Sequence, residues 1–405
     1  MTVLDELIQE LCPDGVKYKA LGEICKLVTG ATPSKTNAAY WENGTIPWMS
    51  AGEVNLKRVA ATEKKITQLG YEKNSTTIVP KHSVVIALAG QGKTRGKAAI
   101  TEIELCTNQS LCSMICNENL DYKFLYYILD GKYEELRAIS NGDGTRGGLS
   151  LKILAPYKIP VPPLPVQREI VHILDNFTEL TAELTAELTA RKKQYAYYRD
   201  KLLSTNNSSV PVVELRDIVK KSCSGATPAK GNAEYYENGT IPWIRTQDVR
   251  FNEITEVNSY ITEKAVSETA TKWIPENCVI VAISGATAGR CAINKIKATT
   301  NQHCLNLIID DSMALYRYVF HCLCSKYEEL ISRKQGARGD LNSSLILSLP
   351  IPIPSLEVQK RLVEVLDNFD AICSDLKIGL PAEIEARQKQ YEYYRDKLLT
   401  FTPAD

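Results

Sequence analysis

The chain has 405 residues, 48 basic and 48 acidic side chains, a formal net charge of zero and 44% hydrophobic residues. That length calls for two or three domains with real cores, and with no apolar run of about 18 residues no membrane-spanning helix is expected. A neutral chain argues against a protein that coats nucleic acid unaided, because phosphate binding is largely electrostatic; a local basic surface, or a groove completed by a partner, remains open.

The elements follow in chain order. MTVLDELIQELCPDGV is acidic and amphipathic and lacks the basic-then-apolar order of a secretory signal. GATPSKTNAAYWENGTIPWMS begins at Gly30, and SVVIALAG, residues 83–90, reads as a strand ending in a glycine loop. AGQGKTRG, residues 89–96, imitates a phosphate loop, but the first glycine of G-x-x-x-x-G-K-[ST] would fall at Ala87. DYKFLYYILDGKYEELRAIS reads as helix. The proline-rich IPVPPLP then marks a boundary, since proline and its neighbour disfavour continued helix. A long helix follows, with Ile170, Leu174, Phe177, Leu184, Leu188, Tyr195, Tyr198 and Leu202 at coiled-coil spacing. From Val166 to Leu203 it would run about 57 Å.

From Gly225 the chain repeats itself. GATPAKGNAEYYENGTIPWIR matches the first block at 15 of 21 positions. CVIVAISG, the glycine turn GATAGR, Thr300-Asn301-Gln302, IPIPSLEVQKRLV, Leu366-Asp367-Asn368-Phe369 and RQKQYEYYRDKLL recur in the same order, the last matching its twin at 11 of 13 positions. The chain is a tandem duplication. Each half is an α+β globular part, a proline-rich joint and a helix. The second helix carries a stutter between Leu380 and Ile384, with Gly379 and Pro381 beside it, so a kink or break is expected there. Neither helix is expected to bury its stripe on a small domain alone, and packing on each other is the simplest solution; each helix lying along its own domain as ordinary core is the other reading. Thr-Ala-Glu-Leu is spelled twice, at residues 181–184 and 185–188. Four residues add roughly 6 Å and preserve the apolar stripe, so the repeat suits a length that can be reset; slippage in a tolerant helix is the other reading.

The residues give no positive sign of an active site. His82, His172, His303 and His321 form no H-E-x-x-H and no readable triad, and no Asn-Pro-Pro or Asp-Pro-Pro methyltransferase motif is present. The twelve cysteines lack zinc spacing and read as reduced thiols of a cytoplasmic protein, some of them small core residues. What differs between the halves is a set of loop positions. Met49-Ser50 stands against Ile244-Arg245, which Gln247 and Arg250 follow. After Asn108-Gln109 and Asn301-Gln302, Ser110 stands against His303. The glycine turn carries Lys93, Thr94, Arg95 and Lys97 in one half and Arg290 in the other. GDGTRGGLS, with Thr145 and Arg146, faces QGARGDLNS, with Arg338 and the adjacent Lys334. Arginine and lysine can donate to guanine and amides can pair with adenine, so these are the DNA-binding candidates; neutral surface drift is the alternative for any one of them. Trp48 and Trp243 read as packing. The repeated tyrosine segment, Tyr195, Tyr198 and Arg199 with Tyr391, Tyr394 and Arg395, and with Tyr197 and Tyr393 between, suggests a repeated docking surface for a repeated partner.

The opening ELCPDGVKYKALGEI, the paired GATP…IPW blocks, the IPxPxLxVQ…LDNF joints and the duplicated RKKQYAYYRDKLL resemble the specificity subunit of type I restriction–modification systems over essentially the whole chain. The Thr-Ala-Glu-Leu repeats resemble its IC subfamily. The resemblance implies two pseudo-twofold-related α/β target recognition domains separated by two long antiparallel helices. The implied division is 1–158, a recognition domain whose residues 1–20 pack near the C-terminal helix; 159–204, a spacer helix; 205–350, a second recognition domain; and 351–405, a second spacer helix. It implies a non-catalytic cytoplasmic chain whose domains each read half of a bipartite, asymmetric DNA site. Two methyltransferase subunits binding S-adenosylmethionine would dock on the helices, and restriction subunits using ATP and Mg2+ would join them. No cofactor is expected on this chain. A protein-binding adaptor with a coiled-coil spacer is the alternative.

Overall fold

The computed structural model describes residues 2–90, 94–140, 148–204, 209–333, 340–374 and 378–404. Contacts divide the chain into two units: Met1–Leu184 with Ile384–Asp405, and Thr185–Glu383. Compactness therefore cuts the chain differently from a division at the proline joints, because each helix end packs with one unit rather than forming a part of its own.

In unit one, a five-stranded sheet runs Cys25–Thr29, Leu111–Cys116, Val84–Ala87, Ala98–Thr101, Arg58–Val59. All pairs are antiparallel except the last. The central strand is buried on both faces, which is why residues 83–90 are an apolar run rather than an alternation. Val84 and Ile86 join the core under the helix Tyr122–Gly131, while Val85 and Ala87 join a second core with Met49, Val54 and Leu105. A four-stranded sheet runs Lys64–Ile66, Ile46–Met49, Leu105–Thr107, Ile78–Val79, its middle pair parallel. Unit two repeats this order with Val219–Ser224, Cys304–Ile309, Val279–Ala282, Cys291–Asn294, Asn252–Ile254, and with Tyr260–Ile261, Ile241–Ile244, Ala298–Thr300, Trp273–Ile274. The helical stretch after each sheet breaks at a lysine, Lys132 or Lys326, into two helices.

The joints owe their sequence to a buried glutamine. In Val-Gln, Gln167 is fully buried; its Oε1 accepts from Asp121 N (2.8 Å), and its Nε2 donates to Asn119 O and Pro162 O. Gln359 repeats all three bonds, with Leu315 N, Met313 O and Pro354 O. A buried amide is tolerated only when so satisfied.

The first long helix spans Leu164–Leu202 as one element. Its apolar stripe does not form one helix–helix seam as expected. Val166, Ile170 and Leu174 are wholly buried in the core of unit one, because its sheet-and-helix layer offers those turns an apolar surface; Phe177 then stacks on Tyr394. The second spacer is two 19-residue helices, Leu356–Ser374 and Leu380–Leu398, with Pro381 in the first turn of the second, where its missing N–H costs nothing. The N-terminal segment joins the chain's end within unit one: Val16 N donates to Thr402 O, Ala404 N to Val16 O, and Tyr18 Oη to Phe401 O. All twelve cysteines are unbonded and ten are buried. Among the described residues no helix is long and apolar enough to cross a membrane.

Candidate nucleic-acid interface

In unit one two parallel strands end side by side, Ile46–Met49 and Leu105–Thr107, and Asn108 N donates to Met49 O. The turn Asn108–Ser110 is fixed by Asn108 Oδ1, which accepts from Ser110 N. Leu88 N donates to Ser110 O, and Leu149 N donates to Leu88 O. The glycine turn closes on the same strand end, with Gly96 N donating to Ala87 O and Ala87 N to Lys97 O; Gly96 has φ +85°, a left-handed conformation that glycine adopts freely. Four chain segments distant in sequence thus meet at one edge: Ser50, Thr94–Lys97, Asn108–Ser110 and the residues after 147. Unit two makes the same cluster through Asn301 N to Ile244 O, Ile283 N to His303 O, Gly289 N to Ala282 O and Leu341 N to Ile283 O.

Two bonds hold the GATP block against this edge. Thr32 Oγ1 donates to Gln109 Oε1 (2.5 Å), and Thr227 Oγ1 donates to Gln302 Oε1. Gly30 and Gly225 press so closely on the carbonyls of Thr107 and Thr300 that a Cβ at either would collide with backbone oxygen. Trp48 and Trp243 are buried, and their indole N–H groups donate to Ala31 O and Ala226 O. These tryptophans lock the loop in place and are packing residues.

The candidates differ in what they can offer. Ser50 donates its hydroxyl to Glu53 (2.8 Å) inside a capping box. Its counterpart Arg245 sits over the Trp243 ring at 5.8 Å, with its backbone N–H donating to Asp248. Arg250 and Gln247 are exposed and joined, Arg250 Nε donating to Gln247 O. Lys97 Nζ reaches Asn55 (2.8 Å). Thr94, Arg95 and Arg290 are half-buried; Gln109, Gln302 and His303 are exposed, and Gln302 Nε2 lies 3.2 Å from His303 Nε2. Lys93, Thr145, Arg146, Lys334 and Arg338 lie outside the described residues.

The repeated tyrosine segment has a use the sequence did not reveal. In unit one Tyr391 is 8% exposed and packs on Tyr127, while Arg395 reaches Asp130 (3.5 Å). In unit two Tyr195 Oη lies 3.3 Å from His321 Nδ1, and Arg199 sits over the Tyr195 ring. Each copy of the segment thus closes the scaffold that belongs, in sequence, to the other half. Tyr198 packs near Phe369 and Tyr394 on Phe177. Tyr197 and Tyr393 alone of the repeated tyrosines stay 62% exposed. Below this docking point lies a carboxylate that only the LDNF repeat could have signalled. Asp175 accepts from Lys123 (2.5 Å) and Tyr127 (2.6 Å). Asp367 accepts from Arg317 (2.5 Å) and His321 (2.7 Å). Burial works to raise the Asp367 carboxyl, but the bonds from His321 and Arg317 and the guanidinium charge overcome it and hold the group below the usual carboxylate range. Among the described residues no three His, Cys, Asp or Glu side chains are grouped to hold a metal.

Two copies of one scaffold, varied at one loop cluster, define a duplicated recognition protein. The chain belongs to the type I restriction modification DNA specificity family, whose domain matches residues 13–191 and again 207–386. It is 34% identical over 415 residues to the EcoR124I/EcoR124II type I restriction enzyme specificity subunit of Escherichia coli, covering 99% of this chain and 97% of that one. It is 28% identical to a putative type I restriction enzyme specificity subunit of Haemophilus influenzae, over 99% of both chains. In fold it is similar to a chain from a type I restriction–modification assembly (TM-score 0.68, 17% identity, 96% and 98% covered). It is also similar to the S subunit from M. genitalium (TM-score 0.55, 15% identity, 95% and 96% covered).

Proposed function

We propose that this chain is the non-catalytic, DNA-reading subunit of a type I restriction–modification complex, each unit reading one half of a bipartite, asymmetric site. The carrying observation is the pair of loop clusters: equal in backbone bonding, unequal in side chains, with Ser50 and Ser110 in one and Arg245 and His303 in the other. Equal scaffolds with unequal readers suit two different half-sites. Exchanging residues 205–349 for those of a relative, then sequencing the adenines methylated by the assembled complex, should change one half-site only. A change in both, or in neither, defeats the reading; in the second case an adaptor role remains.

The helix Leu164–Leu202 passes from one unit to the other between Leu184 and Thr185, inside the Thr-Ala-Glu-Leu repeat. One unit of the repeat contributes about 6 Å of helix, close to two base pairs at about 3.4 Å each. In this reading the repeat sets the gap between half-sites and assigns the chain to the IC subfamily. Two methyltransferase subunits dock on the helical regions through the repeated tyrosine segments, with Tyr197 and Tyr393 the exposed members. S-adenosylmethionine, ATP and Mg2+ act on partner subunits. Deleting residues 185–188 should shorten the preferred gap and leave both half-sites unchanged.

A further inference from the structure

Gln109 and Gln302 occupy the same place in the two units and are held in the same way. The backbone turn that carries each is fixed by the preceding asparagine, and each side-chain oxygen accepts a threonine hydroxyl from the GATP block. The oxygen is thereby engaged. The end of each exposed side chain left outside this clamp is its Nε2 amide, a donor alone with two N–H groups, one of which in unit two faces His303 Nε2 at 3.2 Å. A glutamine that reads adenine needs both ends of its amide, accepting from N6 while donating to N7. The threonine bond takes one of the oxygen's two acceptor sites and fixes the amide's orientation by the loop rather than by a base. A lone donor suits an acceptor that is present at every step of a duplex, the phosphate oxygen.

The comparison of units points the same way. Around these glutamines the side chains diverge: Ser50 against Arg245, Ser110 against His303, Arg95 against Ala288. A device kept in both units while its neighbours change is independent of what each unit reads. We propose that Gln109 and Gln302 are positioning residues that donate to the DNA backbone in both half-sites and set the register in which the divergent neighbours meet bases. This rests on the DNA-reading function argued above and divides its candidate residues into those that place the duplex and those that read it.

The decisive variants are Gln109→Glu and Gln302→Glu. A carboxylate still accepts the threonine hydroxyl, so the loop stays clamped, but the donor is gone and a negative charge faces phosphate. The assembled complex is titrated with duplexes carrying its own bipartite site, defined by its methylated adenines, and with duplexes scrambled in both half-sites. Thermal unfolding should match the wild type. Affinity for both duplexes should fall by the same factor, more than the about 2- to 10-fold loss of one hydrogen bond expected for Gln109→Ala or Gln302→Ala, and the methylated sequence should be unchanged. A glutamate variant that binds both duplexes like wild type would reduce these residues to loop clamps and overturn the proposal. So would a change in base preference at either half-site, which would make them readers. If the wild-type complex itself fails to distinguish the two duplexes, it is the functional reading that falls instead.

Discussion

The interiors of units one and two change together, while their loop edges change freely. Beneath the docked tyrosine, Lys123 and Tyr127 serve Asp175 in unit one; Arg317 and His321 serve Asp367 in unit two. Cation replaces cation, ring donor replaces ring donor, and the carboxylate stays. At the loop edge no such compensation holds: Ser50 is bonded to Glu53, while Arg245 lies over a tryptophan. Buried polar groups must be exchanged as sets because an orphan costs its full desolvation. Solvent reaches Gln247, Arg250 and His303 at that edge, so such positions can change without a partner changing with them.

The largest expected effect separates the units most sharply. Gly30→Ala and Gly225→Ala each drive a Cβ into a carbonyl oxygen that belongs to the sheet. Each should destabilise its own unit by about 3 kcal/mol or more and abolish reading of one half-site, seen as methylation that tolerates any sequence there. Loss of both half-sites from one substitution would break the picture of independent units.

Next come the joints. Gln167→Ala and Gln359→Ala each orphan one N–H and two carbonyls. Each should cost about 2 to 4 kcal/mol, and the two costs should agree closely in chemical denaturation, since the bonding is the same. A large inequality would show that the interiors are less alike than their hydrogen bonds.

The carboxylates should sharpen the contrast by pH. Asp367 is held below its ordinary value, so it contributes stability that is present above the unfolded pKa, near 3.9, and is lost as pH falls through the lower folded value. Asp367→Asn should cost about 1 to 3 kcal/mol at neutral pH and flatten the acid limb of unit two below about pH 4, followed by calorimetry from pH 7 down to about 3. The smallest effect on stability is expected from Tyr197→Ala and Tyr393→Ala, within about 0.5 kcal/mol by thermal melting, because both rings are exposed. A larger cost would show that they too belong to the fold.

Much of this was legible beforehand. The duplication, the α+β class, the proline joints, the long first helix and the break near Pro381 followed from repeats, periodicity and proline, which act over a few residues or a few turns. So did the positions of the varied loops, because divergence inside a repeated frame needs only the chain's comparison with itself. Tertiary structure alone decided which segments meet. Tyr391 packs on Tyr127, 264 positions away, and Tyr195 reaches His321 across 126; nothing local in RKKQYAYYRDKLL says that each copy closes the scaffold of the other half. Nor could spacing say that the stripe of the first helix is core as far as Leu174 and helix contact at Phe177. An apolar face records that burial is needed and leaves open what supplies it, and that choice is made by contacts between parts of the chain that no sequence window spans.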